Sequence, residues 1–431
     1  IAPDGTIVWD YIYSDANHLS HHDLTLVGDN VLLTAWEVKS AAEVSAAGYN
    51  TNSDKWPTHF IELEDDGNGG ANIVWEWHIW DHMCQDTDIN KPNYVADISD
   101  FPELIDINMI SQGPPGGDWF HVNGVDYNED LDQIVFSSRF ASEIYIIDHS
   151  TTTAEAASHS GGNSGIGGDI MYRWGNPANY GMSGSQIIDN AVHDPRWIKD
   201  DGRPNGGYLQ IFNNRGVSNN VSAIDGIETP WDATTNTYLR TAGQAFMPNS
   251  YTTRYECAYS SSGQSASDRM SNGNIYVNAS GGQGGAGVMY EVDASGNIVW
   301  GPYNADSQKG FRYECDYPGI IALESYMYPN GNITTSCFTA TGINNIENTI
   351  VSIFPNPTNG FINIDINKYD NRIKEISISN ILGQSVYNKS INEIDEISLV
   401  VDLKKYSEGI YILNLIDDSE NIDTRRISYI K

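Results

Sequence analysis

The chain has 431 residues, 40% of them hydrophobic, with 11 Trp and 25 Tyr. That is enough apolar material for one large or two to three smaller packed domains, and too much for a disordered chain. A formal net charge of −34 and a pI near 4.3 argue against nucleic-acid binding, which needs a basic face. The absence of any run of about 18 apolar residues argues against a transmembrane helix.

The chain opens on Ile1-Ala2-Pro3-Asp4-Gly5-Thr6-Ile7-Val8-Trp9 with no signal peptide. This reads as a strand of a sheet already begun, so an N-terminal portion is expected before Ile1. The same phrase returns as Gly69–Trp75 and Ser295–Trp300. A second phrase, a tight Asn/Gly turn feeding a short β-run, occurs at Gly28–Leu33, Asn272–Val277 and Pro329–Thr334. Four-stranded units repeating at intervals of about 40–60 residues predict a β-propeller. Short helices are expected over Ser40–Gly48 and around Pro102-Glu103-Leu104-Ile105.

The stretch Asp118–His149 holds the chemistry. Strands are expected from Val122 to Tyr127, over Gln133–Arg139 and over Glu143–Asp148, with a turn at Asn128-Glu129-Asp130. If the first two pair as a hairpin, His121 at the head of one meets Arg139 at the tail of the other. An imidazole beside a permanent, bidentate cation suits an oxyanion such as sulfate or phosphate. His78 and His82, spaced i, i+4, invite a metal reading. Trp75, Trp77 and Trp80 surround them and no third ligand is evident, so a packed aromatic loop is expected instead. His149 reads as a turn residue, and His59 and His159 carry no signal. Asp65-Asp66-Gly67-Asn68-Gly69 lacks the twelfth-position Glu of a calcium loop and reads as a hairpin turn. The Gly-rich runs Gly161–Gly168 and Gly281–Gly287 lead into no helix, so neither cradles a phosphate. Cys84, Cys257, Cys315 and Cys337 allow at most two bridges, with the pairing open.

Composition changes near residue 343. Nine of the 23 basic residues lie in the last 86 positions. About seven short β-runs there predict a small β-sandwich. The expected organisation is a propeller over residues 1–342, a linker at 343–345 and a sandwich over 346–431. The fold class is therefore all-β.

Residues 346–431 resemble the type A C-terminal sorting domain of the type IX secretion system of Bacteroidetes. The resemblance is carried by Phe354-Pro355-Asn356-Pro357-Thr358-Asn359-Gly360, Ile381-Leu382-Gly383-Gln384, Ser407-Glu408-Gly409-Ile410-Tyr411-Ile412 and a basic strand ending at Lys431. It implies type IX secretion machinery as a partner and export across the outer membrane, to the cell surface or the medium. Residues 1–342 resemble the arylsulfotransferase family. The motifs are His21-His22-Asp23 with Asn30–Glu37, Trp77–His82, Asp118–Asn123, Ser137-Ser138-Arg139, Ile147–Ser150, Gly168–Pro177 and Val192-His193-Asp194. The resemblance implies a propeller of about six blades with a central pocket of His and Arg. One His there takes a sulfuryl group from an aryl sulfate ester and passes it to a phenol, without an activated-sulfate nucleotide or another cofactor. Carried over, His193 is the nucleophile, and His22, His121 and Arg139 are sulfate ligands; no metal is implied.

Sulfuryl transfer places charge on the oxygens of a trigonal SO₃-like group, so fixed cations and N–H donors lower its barrier. A neutral imidazole is the nucleophile such a covalent route needs. The expected function is a secreted or cell-surface aryl-sulfate sulfotransferase. Its rivals are a surface propeller that binds without catalysing, as an adhesin or carbohydrate-binding module, and a sulfatase-like hydrolase.

Overall fold

The computed structural model describes residues 6–110, 117–186, 188, 191–282, 286–305, 307–315, 317, 319–320, 350–367, 373–380, 383–390, 396–417 and 422–430. Two compact units divide at Glu314 and Cys315. The expected linker at 343–345 lies outside the described residues, as does the third Asn-Gly phrase at Pro329–Thr334.

Among the described residues the first unit contains four four-stranded antiparallel sheets, each built from strands in chain order. Blade I is β1 (His18–Val27), β2 (Asn30–Glu37), β3 (Thr58–Asp65) and β4 (Ala71–His78); blade II is β5 (Val122–Asn128), β6 (Gln133–Ser138), β7 (Glu143–Asp148) and β8 (Tyr172–Trp174). Blade III is β9 (Val192–Trp197), β10 (Leu209–Val217), β11 (Val221–Ile227) and β12 (Thr253–Glu256); blade IV is β13 (Ala266–Arg269), β14 (Ile275–Ala279), β15 (Gly287–Val292) and β16 (Ile298–Ala305). The first strands are neighbours: β1 lies beside β5, β5 beside β9, and β9 beside β13. They line one axis, as in a propeller.

The apolar runs of the middle strands follow from burial on both faces. In β6, Ile134 and Phe136 join the core shared with blade I, and Val135 joins the core shared with blade III. In β7, Tyr145 and Ile147 face one way and Ile144 and Ile146 the other. Alternate residues point to opposite faces, so a strand between two blades is apolar throughout.

The inner strands are also joined by a repeated carboxylate device. Asp23 Oδ2 accepts from Val125 N (3.0 Å), Asp126 Oδ2 from Trp197 N (3.0 Å), and Asp194 Oδ2 from Ser267 N (2.9 Å). Each bond carries an Asp of one blade to a backbone N–H of the next, which would otherwise lack a partner at the strand edge.

Blade I opens α1 (Ala41–Ala46) after Ser40, whose side chain and Glu43 form a capping box, as expected for Ser40–Gly48. The helix expected around Pro102–Ile105 is instead a turn running into a two-residue strand, Ile105–Asp106, paired in parallel with Met83–Cys84. The residues form too short a run to nucleate a helix, and their strand partner decides the outcome. Ile7–Trp9 form no strand; Ile7 and Val8 are exposed and Trp9 Nε1 donates to Gly70 O at 2.9 Å. The other copies of this phrase become β4 and β16, each beside a partner strand, and among the described residues Ile7–Trp9 have none. Asp65–Gly69 form the expected hairpin turn, with Asp66 Oδ1 accepting from Asn68 N (2.8 Å) and Gly70 N (2.9 Å). Cys84 and Cys257 are free and buried, whereas Cys315 is disulfide-bonded.

His149 is more than a turn residue. Its Nδ1 meets Asp132 Oδ1 at 2.7 Å and its Nε2 meets Glu62 Oε2 at 2.8 Å, tying blade II to blade I. Burial alone would lower its pKa; the bonds to Asp132 and Glu62 outweigh that and raise it to about 9. A raised pKa stabilises the fold fully below the unfolded value near 6.5, and that contribution is lost as pH rises through about 9. His149→Gln should therefore cost on the order of 2 kcal/mol at pH 6. The gap from wild type should close by pH 10 in urea melts. A gap independent of pH would contradict the assignment.

Among the described residues the second unit is a β-sandwich of seven strands. One sheet orders β17 (Ile350–Phe354), β18 (Phe361–Asn367) and β21 (Glu396–Asp402). The other orders β20 (Ser385–Ser390), β19 (Ile373–Asn380), β22 (Gly409–Asp417) and β23 (Ile422–Tyr429). Ile362, Ile364 and Val401 from the first sheet share one core with Ile376, Ile378, Leu413 and Ile427 from the second.

Candidate functional site

The hairpin of β5 and β6 closes as the sequence predicts. Val122 pairs with Ser138, and Arg139 N donates to His121 O at 3.0 Å. His121 immediately precedes β5, whereas His22 lies inside β1 and His193 is the second residue of β9. The reason is a bulge: the register shifts between Ser20 and Leu24 in β1, and between His193 and Arg196 in β9, so pairing resumes beyond each site. β5 shifts likewise between Val122 and Gly124.

At this level the backbone turns left-handed at His22 (φ 56°), His121 (φ 56°) and Asp194 (φ 52°). Non-glycine residues rarely adopt this conformation, which costs of order 1 kcal/mol or more each. Bulges re-aim side chains, and here three neighbouring inner strands bulge at one height on the axis.

The rings of His22 and His121 lie 4.4 Å apart, centroid to centroid, and His121 lies 5.0 Å from Phe140. His121 Nδ1 is held by Asp118 Oδ2, and Asp118 Oδ1 accepts from Trp36 Nε1 at 3.1 Å. His21 Nδ1 contacts His22 Nδ1 at 2.8 Å while its ring stacks on Trp36 at 4.0 Å. His193 is buried; Asn214 Oδ1 takes its Nδ1–H at 2.7 Å, and its Nε2 accepts from Gln264 N at 2.9 Å. Those two bonds fix one tautomer, a neutral ring with its lone pair on Nε2. The loop carrying Gln264 also covers Arg139: a Cβ built on Gly263 would lie 3.3 Å from Arg139 Nη1.

Arg139 is half-buried, its Nε has no hydrogen-bond partner, and among the described residues it pairs with no carboxylate. By contrast Arg173, Arg196, Arg203, Arg254 and Arg312 each pair with Asp or Glu. A second cation, Lys309, bridges Asp23 Oδ2 at 2.8 Å and Asp194 Oδ1 at 3.5 Å.

Burial, then the charge of His121, lowers the pKa of His22 to about 4. Burial drives His193 well below the ordinary histidine value; the Asn214 bond opposes this, while Lys309, Arg139 and His121 reinforce it. The charges of His121, Lys309 and Arg139 act on both His22 and His193. Arg139 itself is pushed down by burial and by Arg215. The site thus presents neutral imidazoles under at least two cations, an arrangement that can bind and polarise an oxyanion.

Sequence reasoning missed Lys309, Asn214, Gln264 and the role of Asp118. Asp118 stood in the motif quoted for His121 and lacked only a partner; the others reach the site from distant chain positions. A separate cavity, lined by Asp130, Leu131, Gln133, Asp148 and Trp231, includes the turn end of the β5–β6 hairpin. It has two carboxylates and no cation among those residues, so it does not suit an anion.

A family model described as Arylsulfotransferase (ASST) matches residues 10–229, and one described as Secretion system C-terminal sorting domain matches residues 352–429. No curated protein matches the chain significantly. Among solved structures, the chain is similar to an engineered GH43 glycoside hydrolase with endo-xylanase and exo-arabinofuranosidase activity. The identity is 10% and the TM-score 0.27, over 65% of this chain and 40% of that one. It is also similar to hydrazine synthase of Kuenenia stuttgartiensis (10% identity, TM-score 0.23, 71% of this chain and 65% of that one). A third is an exported protein of Bacteroides fragilis (9% identity, TM-score 0.24, 97% and 80%). The chain spans less than two thirds of the first two, and likenesses this weak carry no argument. No helix among the described residues is long and apolar enough to cross a membrane.

Proposed function

The chain belongs to the arylsulfotransferase family and carries a type IX sorting domain that directs export to the cell surface, and from that premise we propose that it moves a sulfuryl group from an aryl sulfate ester to a phenol through a sulfo-histidine. The observation that carries this reading is Arg139, a half-buried guanidinium left without a carboxylate in a chain of net charge −34. So acidic a protein repels anions at long range, and a local unneutralised cation offsets that.

In the first half-reaction His193 Nε2 attacks sulfur. The N–S bond forms, the S–O(aryl) bond breaks, and the aryloxide leaves with the electron pair. Asn214 holds the Nδ1 proton, so the lone pair stays on Nε2. Arg139, His22 and His121 bind the sulfuryl oxygens, with Lys309 adding positive field. In the second half-reaction the oxygen of a phenol attacks sulfur, the N–S bond breaks, and the phenolic proton is released. The Gln264 amide must first leave Nε2. Opening that bond at a buried nitrogen costs about 1–3 kcal/mol, which the bound sulfuryl group must offset.

Folded full-length protein should release a chromogenic phenolate from an aryl sulfate at a rate that rises with added phenol. Release indifferent to phenol would make water the acceptor and the protein a hydrolase; no release would leave a binding propeller.

A further inference from the structure

His82 and its surroundings make a second, unrelated constellation. His82 ends a 3₁₀ turn, Ile79–His82, after β4. Its Nδ1 lies 2.7 Å from Asp169 Oδ1, and His159 Nδ1 lies 2.8 Å from that same oxygen. The ligand atoms of all three residues fall within 4.8 Å of one another. Both His159 and Asp169 belong to the long connection from β7 to β8, so the cluster joins the exit of blade I to blade II.

The other nitrogen of His82 decides the chemistry. Nε2 faces Ala156 O at 2.8 Å and must donate to it. A neutral His82 therefore carries its lone pair on Nδ1, aimed at a carboxylate oxygen. The 2.7 Å contact therefore needs either a proton on Nδ1, which makes His82 an imidazolium, or a metal ion held jointly by Nδ1 and Oδ1. A ligating histidine whose second nitrogen donates to a backbone carbonyl is the ordinary outer-shell arrangement of a metal site.

The setting is rigid. Trp77 stacks on His82 at 5.4 Å with an interplanar angle of 4°, and donates from Nε1 to Gly168 O at 2.7 Å. A Cβ at Gly168 would lie 2.0 Å from Ala156 O and 2.7 Å from His82 Nε2, so only glycine lets the loop close on the ring. His82 is fully buried, whereas the His159 side chain is 62% exposed, which leaves an open side for water as a fourth ligand. His78, the i, i+4 neighbour, is not a ligand; it pairs with Glu37 at 3.2 Å and stacks on His59.

The geometry points to a divalent transition-metal site, of the zinc type, formed by His82, His159 and Asp169 and clamping the β7–β8 connection to blade I. Two imidazoles and one carboxylate select zinc, copper or nickel over calcium or magnesium.

The test uses full-length protein stripped with a chelator and then titrated with Zn²⁺ or Co²⁺. Bound metal is measured by elemental mass spectrometry, and coordination by the visible Co²⁺ spectrum. Wild type should take up about one equivalent with a tetrahedral or five-coordinate spectrum. His159→Ala, at an exposed position, should fold normally in chelator yet bind at least about tenfold more weakly, and Asp169→Asn should show the same loss. Wild type without stoichiometric metal, or His159→Ala binding as tightly as wild type, would overturn the proposal and leave a proton-linked His–Asp cluster.

Discussion

Arg139→Ala is expected to lower kcat/KM for an aryl sulfate by about 10²–10³-fold, the usual cost of losing one fixed donor to a developing oxyanion. The guanidinium supplies a planar fork to two oxygens, so Arg139→Lys should recover only part of the loss. Stability should hardly change. Arg139 is placed by its backbone, through the bond from its N–H to His121 O, which the substitution keeps. Among the described residues its side chain has no carboxylate partner to strand. Unchanged turnover in a folded Arg139→Ala protein would remove the cation from the reaction. A large fall in melting temperature would make Arg139 a structural residue.

Arg173→Met should do the opposite, costing about 3–5 kcal/mol of stability by leaving a buried carboxylate unpaired. Arg173 and Glu143 are both fully buried; Nη2 meets Oε2 at 2.6 Å and Nε meets Oε1 at 3.1 Å. Tyr145 Oη and Asn179 Nδ2 also donate to Glu143, each at 2.7 Å, and the guanidinium lies 4.4 Å from the Tyr180 ring centroid. Glu143 begins β7 and Arg173 sits in β8, so the pair fastens the outer half of blade II. Urea melts should show the single variant far below wild type and Glu143→Gln/Arg173→Met between them, since the double change removes the stranded charge. A double variant as damaged as the single one would mean that packing, and not charge, is what Arg173 supplies.

The blades were legible because their hairpins are local. Gly28-Asp29-Asn30 and Asn272-Gly273-Asn274 mark turns, and Gln133–Arg139 and Glu143–Asp148 are two β-rich runs with a short break between them. Local pattern also brought His121 to Arg139, 18 positions apart. It failed where a distant partner decides. Ile105–Asp106 is a strand only because Met83–Cys84 lies beside it. His149 became a half-buried cation through Glu62, 87 residues away. The site was half legible for the same reason. His22, His121, Arg139 and His193 stand in recognisable motifs, whereas Gln264 meets His193 across 71 residues and Lys309 meets Asp23 across 286. The left-handed turns at His22 and His121 have no composition cue, since neither position is glycine. The partners of His82 were invisible for want of a fold: His159 and Asp169 flank a Gly-rich loop, Gly161–Gly168, that reads as featureless until Gly168 closes on the ring.

The covalent intermediate tests the account most directly. Full-length protein mixed with an aryl sulfate and no phenol should gain the mass of one SO₃ group, located by peptide mapping on His193 and discharged when phenol is added. His193→Ala should gain none. An adduct that persists in His193→Ala, sits on another residue, or fails to discharge to phenol would contradict the proposed reaction.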